Sequence, residues 1–205
     1  LQRWQIDISL LKKMFMMMAM ASIASSAFAQ DDLVKQAKKL QAGGDFDKAI
    51  EVLTPALTSD ATVDKAAAWN QMFLLQQAKF NAIQEVEVNN RVKQTTTPYD
   101  TVGMHRAAVE ALKAAIKCDE YDQKPNAKGK VKIRFRGANA PVARNVRLNV
   151  INAGMYEYNK KNMAAAMENW KLYVDTGKDP LFSEIKEMEK DDYRAEICYY
   201  VGLSA

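Results

Sequence analysis

Gly44-Asp45-Phe46-Asp47-Lys48-Ala49-Ile50-Glu51 is the stretch that decides the fold. A helix-forming run precedes it, Asp31 to Ala42, and another follows, Asp47 to Leu57. Gly43-Gly44 stops the first run, because glycine reaches positive φ at little steric cost. Asp45 is placed to cap the second run through its side-chain oxygen. Phe46 is positioned to wedge between two helices, and Ala49 is small enough to let their axes approach. The stretch therefore predicts the turn of a helical hairpin.

Working outward, large and small residues run Leu33, Ala37, Leu40, Gly44, Phe46, Ala49, Leu53, Ala56. Pro55 predicts a bend or an early end to the second helix, since an interior proline costs about 3 kcal/mol. Trp69-x-x-Met72-Phe73 opens the next unit, with Phe73 lying 36 residues after Ala37. Ala78 to Lys93 continues polar and helical until Gln94-Thr95-Thr96-Thr97-Pro98 breaks it. Asp100 or Thr101 then caps a helix to Lys117. Within it Ala108, Leu112 and Ala115 repeat the small-large-small spacing of Ala49, Leu53 and Ala56. Val150 to Val174 restores the pattern through Ala153-Gly154, Met163, Ala166, Trp170 and Tyr173. Lys161-Asn162 stands there in place of Gly44-Asp45. Cys198-x-x-Val201-Gly202-Leu203 opens a last helix, and the chain stops inside that hairpin, which predicts a longer array.

Two stretches, near 80–100 and at 119–146, fall outside this spacing and are expected to be insertions. Lys128 to Arg136 alternates charge with Gly129, Val131, Ile133 and Phe135, a strand period. Gly137 and Pro141 argue there against a long helix.

These units resemble the tetratricopeptide repeat, two antiparallel helices in about 34 residues. The match is carried by Gly-Asp-Phe-Asp-Lys-Ala-Ile-Glu-x-Leu-x-x-Ala-Leu at 44–57. The first helix departs from it, with Leu33 and Ala37 in place of the usual Trp and Gly. The resemblance implies an all-α fold, an α/α superhelical solenoid of hairpins over residues 30–205. It carries no catalytic residues and implies a non-enzymatic scaffold for a protein or peptide partner. In the family, the first helix of each pair lines the groove. Carried over, that face gives Lys38, Gln41, Asn70, Gln77, Met155, Tyr158 and Tyr199, with Val34, Leu74, Ile151 and Leu203 beside them. Tyr, Met, Gln and Asn suit an adaptable peptide surface. Glycan capture is the alternative, since some outer-membrane glycan-binding proteins are built on related repeats.

Composition narrows the chemistry. With 48% apolar and 26% charged residues the chain has an ordinary globular balance. Only 8 Gly and 5 Pro in 205 residues argue against a loop-rich β-architecture. Two cysteines cannot form a four-thiolate site, and the single histidine, His105, leaves little room for His-based metal sites or Ser-His catalysis. No metal, cofactor or catalytic set is therefore expected. Cys118 at a helix end and Cys198 at an inward helical position are expected to be separate thiols.

Lys12-Lys13, the apolar run Met14 to Ile23 and Ala27-x-Ala29 fit a cleaved signal peptide, with the mature chain starting near Gln30. Leu1 to Leu11 precede it, as translated upstream sequence or a non-standard start. The expected location is the periplasm or the outer membrane, which excludes nucleic acid as a partner. One basic stretch contains Lys128, Lys130, Lys132, Arg134 and Arg136, with no acid from Gln123 to Tyr156. It reads either as a contact for a membrane surface, anionic glycan or acidic protein, or as a solvated inter-repeat loop.

Overall fold

The computed structural model describes residues 30, 32–125 and 128–203. The signal-peptide reading falls on residues 1–29 and lies outside them. The described residues are all-helical, with no strand. Helix α1 covers 32–42. It is followed by α2 (Phe46–Thr58), α3 (Lys65–Lys93), α4 (Thr101–Asp122), α5 (Arg136–Asn159) and α6 (Met163–Asp175). Three short 3-10 turns at Thr176–Lys178, Pro180–Phe182 and Lys186–Glu189 lead to α7 (Arg194–Leu203).

The opening turn closes α1 by two hydrogen bonds. The Asp45 amide donates to the Leu40 carbonyl at 3.0 Å and the Gly44 amide to the Gln41 carbonyl at 3.0 Å. Gly44 takes the left-handed conformation this closure needs, with φ of 81°. The turn between α5 and α6 is closed identically, by Asn162 to Glu157 at 3.0 Å and Lys161 to Tyr158 at 2.9 Å. Here Lys161, a side-chain-bearing residue, takes positive φ, at 64°.

Asp45 departs from expectation. Its side chain makes no capping bond, and only its backbone carbonyl receives an amide, that of Ala49 at 3.0 Å. Side-chain caps instead start α3, α4 and α6. There Asp64, Asp100 and Asn162 accept from Ala67, Gly103 and Ala165.

Both prolines are accommodated inside helices. Helix α2 runs three residues past Pro55, and α5 begins at Arg136 and runs through Pro141. The expectation that Gly137 and Pro141 preclude a long helix is thus corrected. Pro141 is exposed, while Ala140, Ala143, Val146 and Val150 bury one face of the same helix. That burial outweighs one missing backbone bond. The described irregular part of 119–146 shrinks accordingly to residues 123–125 and 128–135. The stretch near 80–100 is likewise mostly helix. Residues 80–93 continue α3, and Gln94, with φ of 53°, ends it before the link 95–100.

From α2 onward each helix packs on the next in sequence: α2 on α3, α3 on α4, α4 on α5, α5 on α6 and α6 on α7. The core is built from repeating triplets. Ala49, Leu53 and Ala56 on α2, Ala108, Leu112 and Ala115 on α4, and Ala166, Trp170 and Tyr173 on α6 are all fully buried. Each triplet has i, i+4, i+7 spacing, which places it on one helical face. Odd-numbered helices also touch one another. Gln71 donates to Gln41 at 2.6 Å, Asn139 donates to Asn70 at 2.8 Å, and the Tyr158 and Tyr200 rings lie 6.5 Å apart.

Candidate functional site

The residues carried over to a groove lie along α1, α3, α5 and α7, in unequal situations. Lys38 and Tyr199 are exposed, whereas Gln77 and Met155 are half-buried. Gln41 and Asn70 are engaged within the fold. Gln41 accepts from Gln71 and donates to the Leu74 carbonyl at 3.4 Å, and Asn70 accepts from Asn139. Tyr158 packs beside Trp170 and Tyr200, at ring distances of 5.7 and 6.5 Å. It is a packing residue before it is a contact residue. Tyr199 meets Tyr200 edge-on at 5.9 Å and keeps 63% of its surface exposed.

The basic stretch is the second candidate, and folding divides it. Asp119 and Asp122 lie three residues apart on α4, so both carboxylates share a face. Their side chains are 2% and 1% exposed. Arg136 grips Asp119 with two bonds of 2.8 Å. One oxygen of Asp122 accepts from the Arg134 side chain at 2.8 Å, and the other accepts the amides of Arg134 and Phe135. The far end of Arg134 makes a two-pronged bond to Asp64, at 2.6 and 2.8 Å. Residues 134–136 are thereby tied to the start of α3 and the end of α4. Arg134 and Arg136 are thus both ion-paired within the chain, Arg134 at the surface and Arg136 half-buried. Lys128, Lys130 and Lys132 are exposed.

Sequence reasoning missed Asp64, Asp119 and Asp122. The local run carries no acid, and Asp64 lies 70 residues from its arginine.

The bond from Arg134 holds the Asp64 carboxyl below its ordinary value, against the opposing effect of burial. Such a depressed group contributes stability that is fully present above the unfolded carboxylate value of about 3.9. That contribution is lost as pH falls through the lower folded value. Asp64→Asn keeps a capping oxygen for Ala67 but removes the charge. The variant is expected to melt below the wild type at neutral pH, with the difference shrinking below about pH 4. Thermal unfolding across pH measures this, and a constant difference down to acid pH would refute it.

The other titratable groups sit apart. His105 is half-buried with its ring 4.8 Å from that of Tyr156. Burial lowers its pKa against the raising influence of Glu87 and Glu157. Cys118 is buried and receives a contact from Asn139 at 3.7 Å. Burial, with the Asp122 and Asp119 charges, pushes its thiol up to about 12, so thiolate is scarce near neutrality. Both cysteines are free, but Cys198 is exposed rather than inward, since its neighbour Ile197 takes the buried position on α7.

Among the described residues no group of three His, Cys, Asp or Glu side chains is placed to hold a metal ion. No described helix is long and apolar enough to cross a membrane. No protein-family model, no curated protein and no solved structure matches the chain.

Proposed function

We propose that the chain is a non-enzymatic interaction scaffold of the bacterial cell envelope. In this reading it is exported by a cleaved signal peptide and built as a tetratricopeptide-like α/α superhelical solenoid. It holds a protein or peptide along its odd-numbered helices. The observation that carries the reading is the triplet repeated on α2, α4 and α6, all nine residues fully buried at identical spacing. Two identically closed turns and the ordered contacts between odd helices support it further. A solenoid offers a continuous face, and on this one Lys38, Gln77, Met155 and Tyr199 are the residues left to a partner.

Photo-crosslinking residues at Lys38 and Tyr199 are expected to give adducts with the same envelope protein. Matched positions on even helices, Thr58 and Lys117, are expected to give none. Equal adducts at all four sites, or none at any, would overturn the reading. Glycan capture is favoured by one observation, the exposed aromatic rings of Tyr193 and Tyr199 at 53% and 63%. Polysaccharide binding that is lost in Tyr199→Ala would move the assignment to that class.

A further inference from the structure

The strand period of Lys128 to Arg136 belongs to no strand among the described residues. The structure nevertheless keeps its alternation. Residues 130–134 run on without helix, turn or bend. Lys130, Lys132 and Arg134 line an open recess beside the start of α3 and the end of α4, and Val131 and Ile133 do not. Alternate residues of an extended chain point to opposite faces. Valine and isoleucine therefore stand together on the other face, 53% and 43% exposed. Such β-branched side chains suit a paired, half-buried strand surface.

The backbone fits the same description. Among the described residues, the amides and carbonyls of Val131, Lys132 and Ile133 make no hydrogen bond. The next amide, that of Arg134, donates to Asp122, and the Arg134 side chain holds both Asp122 and Asp64. One end of the stretch is thereby fixed to the body of the protein. Successive residues of an extended chain direct their amides and carbonyls to opposite edges. The Arg134 amide faces α4, so those of Val131 and Ile133 face the outer edge. We infer that residues 131–133 are a docking edge, on which an extended segment of a partner protein pairs as an added strand.

Charge selects the occupant. No acid occurs from Gln123 to Tyr156, and Lys132 is exposed on the recess face. Antiparallel pairing with a second copy, in a register that matches the apolar faces, would set lysine opposite lysine, which is unfavourable. The occupant is therefore a segment that alternates β-branched apolar residues with acids. Its apolar side chains pack on Val131 and Ile133, and its acids face Lys132. This edge shares no residue with the odd-helix face, so its test is separate from the crosslinking at Lys38 and Tyr199.

The probe is a short labelled peptide that alternates glutamate with valine, followed by fluorescence anisotropy. It is expected to bind the wild type. A copy with methylated backbone amides is expected not to bind, since methylation removes the donors and leaves the side chains. A peptide alternating lysine with valine is also expected not to bind. Val131→Pro removes an outer-edge amide and keeps a φ that an extended chain tolerates, and is expected to lose about tenfold or more in affinity. Val131→Thr keeps the amide and the branching, and is expected to bind. Helical circular dichroism checks that both variants fold. No binding of the glutamate peptide, equal binding of its methylated copy, or equal binding by Val131→Pro would overturn the inference. Concentration-dependent pairing of the wild type that Val131→Pro abolishes would give the edge to a second copy, and so overturn the acidic occupant.

Discussion

Trp170→Ala is expected to remove about 3–5 kcal/mol of stability, the range for truncating a buried aromatic. Trp170 is fully buried at the large position of the α6 triplet. Its ring lies 5.7 Å from Tyr158 and 5.3 Å from Tyr200, so it joins α5, α6 and α7. Its indole nitrogen also donates to the Ile151 carbonyl at 3.3 Å. Truncation therefore leaves a cavity, removes aromatic contacts and exposes a carbonyl to an apolar space. For a chain of this size the melting temperature should fall by roughly 10 °C.

The partner position sharpens the test. A Cβ on Gly154 would stand 2.2 Å from the Trp170 indole nitrogen and 2.3 Å from its neighbouring carbon. Gly154→Ala alone is expected to cost about 1–3 kcal/mol by overpacking. Combined with Trp170→Ala, the added methyl enters vacated space, so the double variant should lose less than the sum. Strict additivity in denaturant unfolding would show that the two residues do not share that space.

Asp191→Ala is expected to be comparably severe, at about 3–5 kcal/mol, because it strands a buried guanidinium. The Arg147 side chain is 3% exposed and reaches Asp191 at 2.8 Å. Its other bonds go to neutral oxygens, the Tyr173 carbonyl at 2.7 and 3.1 Å and the Thr176 hydroxyl at 3.3 Å. The guanidinium also lies 3.7 Å from the centre of the Tyr173 ring. The Tyr173 hydroxyl donates to the second Asp191 oxygen, so the same substitution orphans a buried phenol. Asp191→Asn with Arg147→Met removes both charges and keeps an acceptor for that hydroxyl. The pair should cost less than Asp191→Ala alone, as measured by the denaturant midpoint. A double variant worse than the single one would show that the ion pair itself, not the stranded charge, dominates.

Helix content and the buried triplets were legible because they rest on local period. Ala49, Leu53 and Ala56 declare a face within eight residues, and so do their counterparts on α4 and α6. Helix α3 was also legible to Lys93, but its polar second half did not declare that it prolongs the helix opened by Trp69. The start of α5 was hidden by Gly137 and Pro141, whose local cost is outweighed by burial that only the packed structure supplies. The candidate sites were least legible. Arg134 and Arg136 read as free charge because their acids lie on α4 and at the start of α3. Asp45 read as a cap because it stands before a helix, yet here backbone bonds close the turn without its carboxylate. Helical spacing alone did not show that the Tyr158 ring meets Trp170.

The amide pairs between odd helices have a consequence of another kind. Apolar helix faces tolerate slippage, since one methyl group replaces another at little cost. Gln71 and Asn139 are buried at 3% and 4% exposure, and their bonds to Gln41 and Asn70 cross from one odd helix to the next. Sliding either interface by one residue would leave buried amides without partners, at about 1–3 kcal/mol for each group. The two pairs thus act as notches that admit a single vernier setting between successive hairpins. Because amides carry no charge, that setting is indifferent to salt and to pH, unlike the ionic ties of residues 134–136.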